Sequence, residues 1–276
     1  MTSPSTPNTI SGRNAFIELL QSEGVTHLFG NPGTTELPIM HALADYPDMR
    51  YVLGLQEAIV VAMADGYARA SGELVACNVH VAPGLGNAMG SLFTAFNSGT
   101  PLIITAGQQE QGHGLTEPLL YAPLVPIATP VVKWATEVTR LEDLPRSVHR
   151  AAKIATTPPT GPVFISLPGD ILNAFGVIDL GQATRVDTRV RPSEDSLREL
   201  AERLLRAKRP VIIAGHGSSV ATPLPRPPVL PKSWVAPSMI RRCCKGRISQ
   251  PTMRPISGRC RATRKPCAPA SIPTTL

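Results

Sequence analysis

The sequence predicts an α/β fold: a doubly wound, mostly parallel sheet with helices on both faces, followed by a fragment of a second α/β domain. Short apolar runs alternate with longer amphipathic or alanine-rich stretches along residues 11–167. Polar and glycine-rich segments follow several of these runs directly. Because ligands of such sheets bind at the carboxyl ends of the strands, the polar segments predict one common site.

Periodicity and turn residues define the individual elements. Residues 11–23 predict an amphipathic helix closed by Gly24, and residues 25–29 predict a short strand. A turn over Gly30 to Gly33 follows, after which Thr34 or Thr35 is expected to cap a helix running to about Ala44. The remaining predicted strands are 51–55, 74–80, 101–107, 131–138 and 162–167, and the remaining helices are 57–70, 86–97 and 142–156.

Glu57 is the most informative single residue. The apolar run 51–55 precedes it, and an alanine-rich stretch, 58–70, follows it. A strand therefore ends and a helix begins with a carboxyl group in a largely apolar first turn. An apolar environment favours the protonated carboxyl, which is a useful proton carrier. A glutamate in a first helical turn also simply complements the helix dipole, so neighbouring motifs have to decide between the two interpretations.

Four motifs occur in order between Phe29 and Gln109. They are Phe29 to Pro38, Gln56 to Arg69, Asn78 to Gly90, and Asn97 to Gln109. Each motif is common alone, whereas four in this order and spacing are specific. On these motifs the chain resembles the thiamine-diphosphate enzymes of the decarboxylase and acetolactate synthase superfamily, and it looks most similar to benzoylformate decarboxylases. The resemblance covers roughly residues 8–218.

The resemblance implies roles for residues on the predicted edge. Glu57 would protonate or hydrogen-bond the aminopyrimidine ring of thiamine diphosphate, His80 would transfer protons around the substrate, and Thr34 would contact the substrate carboxylate. A structural role for His80 and a helix-capping role for Thr34 stay open. Gly84 to Asn87 is expected to present backbone amides at a helix start. The implied cofactor-binding residues are Asn31, Pro32, Gly33, Glu57, Gly84 and Asn87.

The resemblance also implies a reaction and partners. The reaction is that of a carboxy-lyase, the non-oxidative decarboxylation of an aromatic or branched 2-oxo acid to an aldehyde. A histidine at position 80 favours a decarboxylase, because acetolactate synthases usually lack it. An acetolactate-synthase-like carboligase and a non-catalytic dimerisation module stay open as alternatives. Members of the family form homodimers or homotetramers and use Mg²⁺. The sequence lacks an apolar run of 18 residues and a signal-like N-terminus, which predicts a cytoplasmic protein without membrane or nucleic-acid partners.

Four segments are predicted along the chain. Residues 1–170 form the pyrimidine-binding domain for thiamine diphosphate, 171–191 a linker, 192–219 the start of an incomplete central α/β domain, and 220–276 an irregular basic tail. Ser193 is expected to cap a helix, and residues 210–214 are expected to form a strand. The metal-binding signature of the family, Gly-Asp-Gly followed by Asn, does not occur in the sequence. No metal ligand is therefore predicted, and we expect the chain alone to be inactive.

The basic charge is concentrated in the predicted tail. Residues 1–220 carry 16 Lys and Arg against 20 Asp and Glu, a net of −4, whereas residues 221–276 carry 11 Lys and Arg and no acid. Four of the five cysteines also lie there, but their spacing matches no zinc pattern, and Trp234 is the tail's one aromatic residue. These features argue against a nucleic-acid arm. They favour a shifted reading frame, with a disordered basic tail as the alternative.

Overall fold

A parallel sheet forms the centre of the computed structural model, which describes residues 9–187 and 190–208. The strands are β1 (Ile10–Ser11), β2 (His27–Gly30), β3 (Arg50–Leu53), β4 (Val75–Val79), β5 (Leu102–Gln108), β6 (Ala135–Glu137), β7 (Val163–Pro168) and β8 (Phe175–Gly176). Within these residues, six strands follow the order β3-β2-β4-β5-β7-β6, and every neighbouring pair is parallel. The predicted parallel α/β architecture is confirmed.

Helices cover both faces of this sheet. They are α1 (Gly12–Ser22), α2 (Leu37–Ala42), α3 (Glu57–Ser71), α4 (Val81–Ser98), α5 (Gln111–Gly114), α6 (Leu124–Ala128), α7 (Leu144–Thr156), α8 (Gly169–Asn173) and α9 (Glu194–Arg206). Successive side chains of a strand point to opposite faces. Ile103 of β5 accordingly packs in one apolar cluster with α1 and α7, and Ile104 packs in the other with α3 and α4. The doubly wound arrangement is thus confirmed.

The start of the helix after β2 differs from its prediction. Neither Thr34 nor Thr35 caps it, because residues Thr34–Glu36 form a 3₁₀ turn and α2 begins only at Leu37. The backbone N–H of Gly33 donates to the carboxylate of Glu36 at 2.8 Å, so an acidic side chain three residues later folds back on the start of the turn. The turn also directs Glu36 into the interior, where it is fully buried.

The first half of the predicted linker, 171–191, packs against the sheet domain. Strand β8 pairs antiparallel with β1, and Leu172 is fully buried. Arg185 forms an ion pair with Glu23, whose carboxylate also contacts Nδ1 of His149. Residues 171–185 are therefore attached to the domain that precedes them, while the domain boundaries remain predictions.

Helix α9 follows, with Ser193 as its N-cap as predicted. The Ser193 hydroxyl accepts from the backbone N–H of Ser196 at 3.2 Å. The helix has no buried residue and carries exposed ion pairs at i, i+4 spacing, such as Arg203 with Glu199. The predicted strand 210–214 and the tail 220–276 lie outside the described residues.

Candidate active site

The order of the strands reverses direction between β2 and β4. Strand β3, which follows β2 in the chain, lies beside β2 toward one end of the sheet. Strand β5, which follows β4, lies beside β4 toward the other end. Ligands of open α/β sheets bind at such a reversal point, outside the carboxyl ends of the strands. Asn31 follows β2 directly, His80 follows β4, and Glu57 begins the helix after β3. The fold therefore brings these three predicted site residues to one edge.

Glu57 is the first residue of α3 and is 7% exposed. Its Oε1 accepts from the side-chain amide of Asn31 at 3.0 Å, and its Oε2 accepts from that of Asn87 at 3.0 Å. A Cβ atom added to Gly84 would lie 3.2 Å from Oε1. Glycine at position 84 therefore allows the carboxyl group to approach the backbone of α4 closely. Two neutral donors hold the group in place, and each oxygen keeps acceptor capacity for a further partner.

The prediction that Gly84 to Asn87 present backbone amides at a helix start is wrong. Helix α4 begins at Val81, so both residues lie in its first two turns. The backbone N–H of Gly84 donates to the His80 carbonyl at 2.8 Å and is not available to an anion. Gly84 allows the Glu57 carboxyl group to approach closely, and the side-chain amide of Asn87 donates a hydrogen bond to it. These contacts take the place of the expected cradle of backbone amides.

The early start of α4 depends on an unusual backbone conformation at Val81. Its φ of +40° lies in the left-handed region, which is rare for a β-branched residue. The side chain is fully buried. Such a conformation costs on the order of 1–3 kcal/mol and persists only where the surrounding structure imposes it. The strained residue follows His80 directly. Its backbone conformation therefore fixes the direction in which the His80 side chain leaves the sheet.

His80 is paired with a buried carboxylate that the sequence analysis assigned no role. The Nδ1 atom of His80 lies 2.7 Å from Oε2 of Glu36, which is fully buried. The same carboxylate accepts from Gly33 N–H at 2.8 Å, from Gly107 N–H at 2.9 Å and from the Thr35 hydroxyl at 2.6 Å. Four donors therefore surround Glu36.

The sequence signal for Glu36 was its position three residues after Gly33. That spacing is typical of a capping residue at a helix start, and it describes only one of the four contacts. The partners His80 and Gly107 are 44 and 71 residues away in the chain. Spacing along the sequence gives no indication of contacts at such separations.

The other predicted residues of the loop lie around this pair. Thr34 is exposed and makes no capping hydrogen bond, and Pro32 is half-buried. Gln108 and Gln109, which follow the same edge, donate their side-chain amides to the carbonyls of Ala122 and Leu119. These two amides therefore stabilise the 109–123 loop.

Gly33 provides the space that the imidazole ring occupies. A Cβ atom there would lie 2.3 Å from Nδ1 and 2.4 Å from Cε1 of His80. We expect Gly33→Ala to displace the ring and to lower the free energy of unfolding by about 1–3 kcal/mol, as overpacking does. Urea unfolding measures the change. Gly86→Ala is the matched control, because nothing lies within 4 Å of a Cβ there, and alanine should stabilise α4 by about 0.5–1 kcal/mol. Equal effects of the two substitutions would contradict the packing argument.

Polar groups without partners lie behind the loop. The Tyr51 hydroxyl and both side-chain atoms of Asn78 are buried and have no hydrogen-bond partner among the described residues. A Cβ atom on Gly30 would lie 2.0 Å from the Tyr51 hydroxyl and 2.8 Å from Oδ1 of Asn78, so the two groups approach the same point. Burial raises the pKa of Tyr51, and the nearby Glu36 carboxylate raises it further.

Tyr51→Phe is expected to change the free energy of unfolding by less than about 1 kcal/mol at pH 7, because it removes a hydroxyl that has no partner. At high pH the two proteins should diverge. The folded-state pKa of Tyr51 lies above its unfolded value of 10.0, so its contribution is complete below that value and is lost as the pH rises through the folded pKa. Urea unfolding between pH 8 and 11 should therefore show a smaller alkaline loss for the variant. Identical pH profiles would contradict this assignment.

The described part of the chain contains no group of three or more His, Cys, Asp or Glu side chains that could hold a metal ion. No helix among these residues is long and apolar enough to cross a membrane. The described edge offers a buried carboxyl group, an imidazole with its own carboxylate, and two glycines against which these side chains pack.

Comparison with known proteins connects this edge to a family. The family described as "Thiamine pyrophosphate enzyme, N-terminal TPP binding domain" matches residues 10–118. Benzoylformate decarboxylase from Pseudomonas aeruginosa is 40% identical over 238 residues, which cover 83% of this chain and 44% of that protein. The acetolactate synthase large subunit of Haemophilus influenzae is 30% identical over 217 residues, which cover 77% of this chain and 38% of that protein.

Solved structures give the same result. The thiamine diphosphate-dependent 4-hydroxybenzoylformate decarboxylase of Rhodococcus jostii superposes with a TM-score of 0.70 at 38% identity, covering 76% of this chain and 40% of that one. Benzoylformate decarboxylase from Polynucleobacter necessarius superposes with a TM-score of 0.67 at 43% identity, covering 74% and 38%. The chain thus spans less than half of the length of each of these relatives.

Proposed function

The chain belongs to the thiamine-pyrophosphate-dependent enzymes through its N-terminal domain, and on this premise we propose that it supplies the pyrimidine side of a site for thiamine diphosphate. The enzyme would be a carboxy-lyase that converts an aromatic 2-oxo acid to an aldehyde, as the names of its relatives indicate for those proteins. The observation that carries the proposal is the environment of Glu57.

The residues around Glu57 fit the cofactor's aminopyrimidine ring. When bound, thiamine diphosphate supplies a nucleophilic carbon, and its aminopyrimidine acts as the internal base. Glu57 would hold a proton at the ring nitrogen. Asn31 and Asn87 fix the carboxyl group by one hydrogen bond each, and Gly84 allows it to pack closely against α4.

His80 would exchange protons with the substrate. Imidazole carries protons well near neutral pH, and the His80 side chain is 22% exposed, so it can reach a ligand at the carboxyl ends of the strands. The exposed hydroxyl of Thr34 lies in the neighbouring loop and would bind the substrate carboxylate. A histidine at this position favours decarboxylation over carboligation, the reaction of the acetolactate synthase relatives.

The remainder of the site would come from another polypeptide region. We place Mg²⁺ and the groups that bind the diphosphate there, together with the rest of the substrate pocket. Large apolar side chains are exposed on and beside α3 and α4, the helices that carry Glu57 and Gly84; they are Leu55, Ile59, Phe93 and Phe96. Exposed apolar surface of this kind is typical of protein interfaces. It supports a homodimer or homotetramer with this face against a neighbouring subunit.

A chimera tests the proposed activity. Residues 1–208 of this chain would replace the corresponding part of Pseudomonas aeruginosa benzoylformate decarboxylase, which supplies the missing regions. We expect the purified chimera, with thiamine diphosphate and Mg²⁺, to release benzaldehyde from benzoylformate. A folded chimera that binds the cofactor and forms acetolactate from pyruvate, without aldehyde, would support the carboligase instead. A folded chimera that does neither would favour the dimerisation module.

A further inference from the structure

We infer that Glu36 is the positioning residue for His80: it fixes the tautomer of the imidazole ring and leaves Nε2 as the nitrogen that exchanges protons at the carboxyl ends of the strands. The functional part of this inference rests on the proposed decarboxylase activity. The structural part concerns the ring alone and can be tested without turnover.

The hydrogen bonds around Glu36 set the protonation of Nδ1. Both backbone partners of the carboxylate, Gly33 and Gly107, can only donate, and the hydroxyl of Thr35 also donates to it. This is the environment of an ionised carboxylate, which only accepts. The Nδ1 atom of His80, 2.7 Å from Oε2, must therefore carry the hydrogen. The Nε2 atom has no hydrogen-bond partner among the described residues, and its lone pair is free to take a proton.

The same arrangement places a buried negative charge beside the ring. When Nε2 accepts a proton, the imidazolium lies against a buried negative charge, and the hydrogen bond at Nδ1 becomes charge-assisted on both sides. The fully buried Glu36 is shielded from water, so this interaction is weakly screened. Gly33 lies close to the Nδ1 edge of the ring, since a Cβ atom there would lie 2.3 Å from Nδ1.

Glu36→Gln distinguishes control of the His80 tautomer from structural support of the ring. In the variant an NH₂ group replaces one oxygen. At the Oε2 position it faces Nδ1 of His80, which then has to accept, so that the hydrogen moves to Nε2. Thr35→Val is the comparison, because it removes a donor to Oε1 and a longer contact of 3.2 Å between the Thr35 hydroxyl and Nδ1, but keeps the Glu36 carboxylate 2.7 Å from Nδ1.

Ring nitrogen shifts in ¹⁵N-labelled protein of the full 276-residue chain provide the readout. The signal is assigned by its loss in His80→Gln. We expect the Nδ1–H tautomer in the wild type and in Thr35→Val, and a substantial Nε2–H population in Glu36→Gln. An Nε2–H tautomer in the wild type would overturn the inference even if Glu36→Gln does not fold.

Kinetics of the chimera test the functional part. Glu36→Gln should lower kcat by at least about tenfold, with KM changed by less than about threefold, because a misplaced proton carrier affects the chemical steps more than binding. If Glu36→Gln changed the tautomer of His80 and left kcat unaltered, the pair of Glu36 and His80 would have no functional role. Absence of activity in the unmodified chimera would instead count against the proposed function, and the tautomer result would still stand.

Discussion

Glu57→Gln in the chimera is expected to lower kcat by about 10²–10⁴-fold, the range that a positioned proton carrier contributes. The amide keeps the shape of the side chain but cannot donate a proton as a carboxylic acid does. It also places an NH₂ group against the side-chain amide of Asn31 or Asn87, one of which then has to rotate. The measurement is the steady-state rate of benzaldehyde formation at saturating thiamine diphosphate.

Glu73→Gln is the control for this substitution. Glu73 is an exposed glutamate just beyond the opposite end of α3, where it makes one long contact of 3.5 Å with the Tyr67 hydroxyl. The kcat of the Glu73→Gln chimera should stay within about twofold of that of the unmodified chimera, since surface substitutions rarely affect stability or chemistry. If Glu57→Gln retained a near-normal kcat while binding the cofactor, the essential acid would have to be another residue.

Phe164→Ala is expected to cost about 3–5 kcal/mol of unfolding free energy, the largest stability effect we predict. Phe164 belongs to β7, is fully buried, and packs in the apolar cluster between the sheet and helices α3 and α4. Truncation removes the ring and leaves a cavity that a closely packed sheet fills poorly. Urea unfolding of the full chain, followed by far-ultraviolet circular dichroism, measures the loss.

Phe175→Ala provides the comparison within the same chain. Phe175 is 66% exposed, and its ring has Arg13 5.7 Å above it. Loss of this cation–π contact should cost about 1 kcal/mol or less. The two variants should share the same dependence on urea concentration. A Phe164→Ala protein as stable as Phe175→Ala would contradict the placement of β7 in the centre of the domain.

The strands were the most predictable elements, for a physical reason. Strands buried on both faces have continuous apolar sequences, and residues 102–104 and 163–165 show this directly. Glu57 was also predictable, because a strand, a helix start and a carboxyl group follow one another in the chain. Local sequence was sufficient for the strands and for the position of Glu57 at a helix start, whereas its role depended on the neighbouring motifs.

Helix α4 and Glu36 were not predictable from local sequence. The glycines at positions 84 and 86 favour a turn, whereas the helix starts earlier, at Val81, with a positive φ. A valine in the sequence gives no indication of a positive φ. Glu36 has the spacing of a helix cap, and its main partners are distant in the chain. In both cases tertiary contacts determine the conformation.

The strained backbone at Val81 implies a compromise between two demands on one residue. A glycine at position 81 would adopt the same φ without steric penalty. The Val81 side chain is fully buried, however, and its removal would leave a cavity. A search for stabilising substitutions at this position should therefore fail, since a residue that relieves the backbone strain also removes the apolar packing.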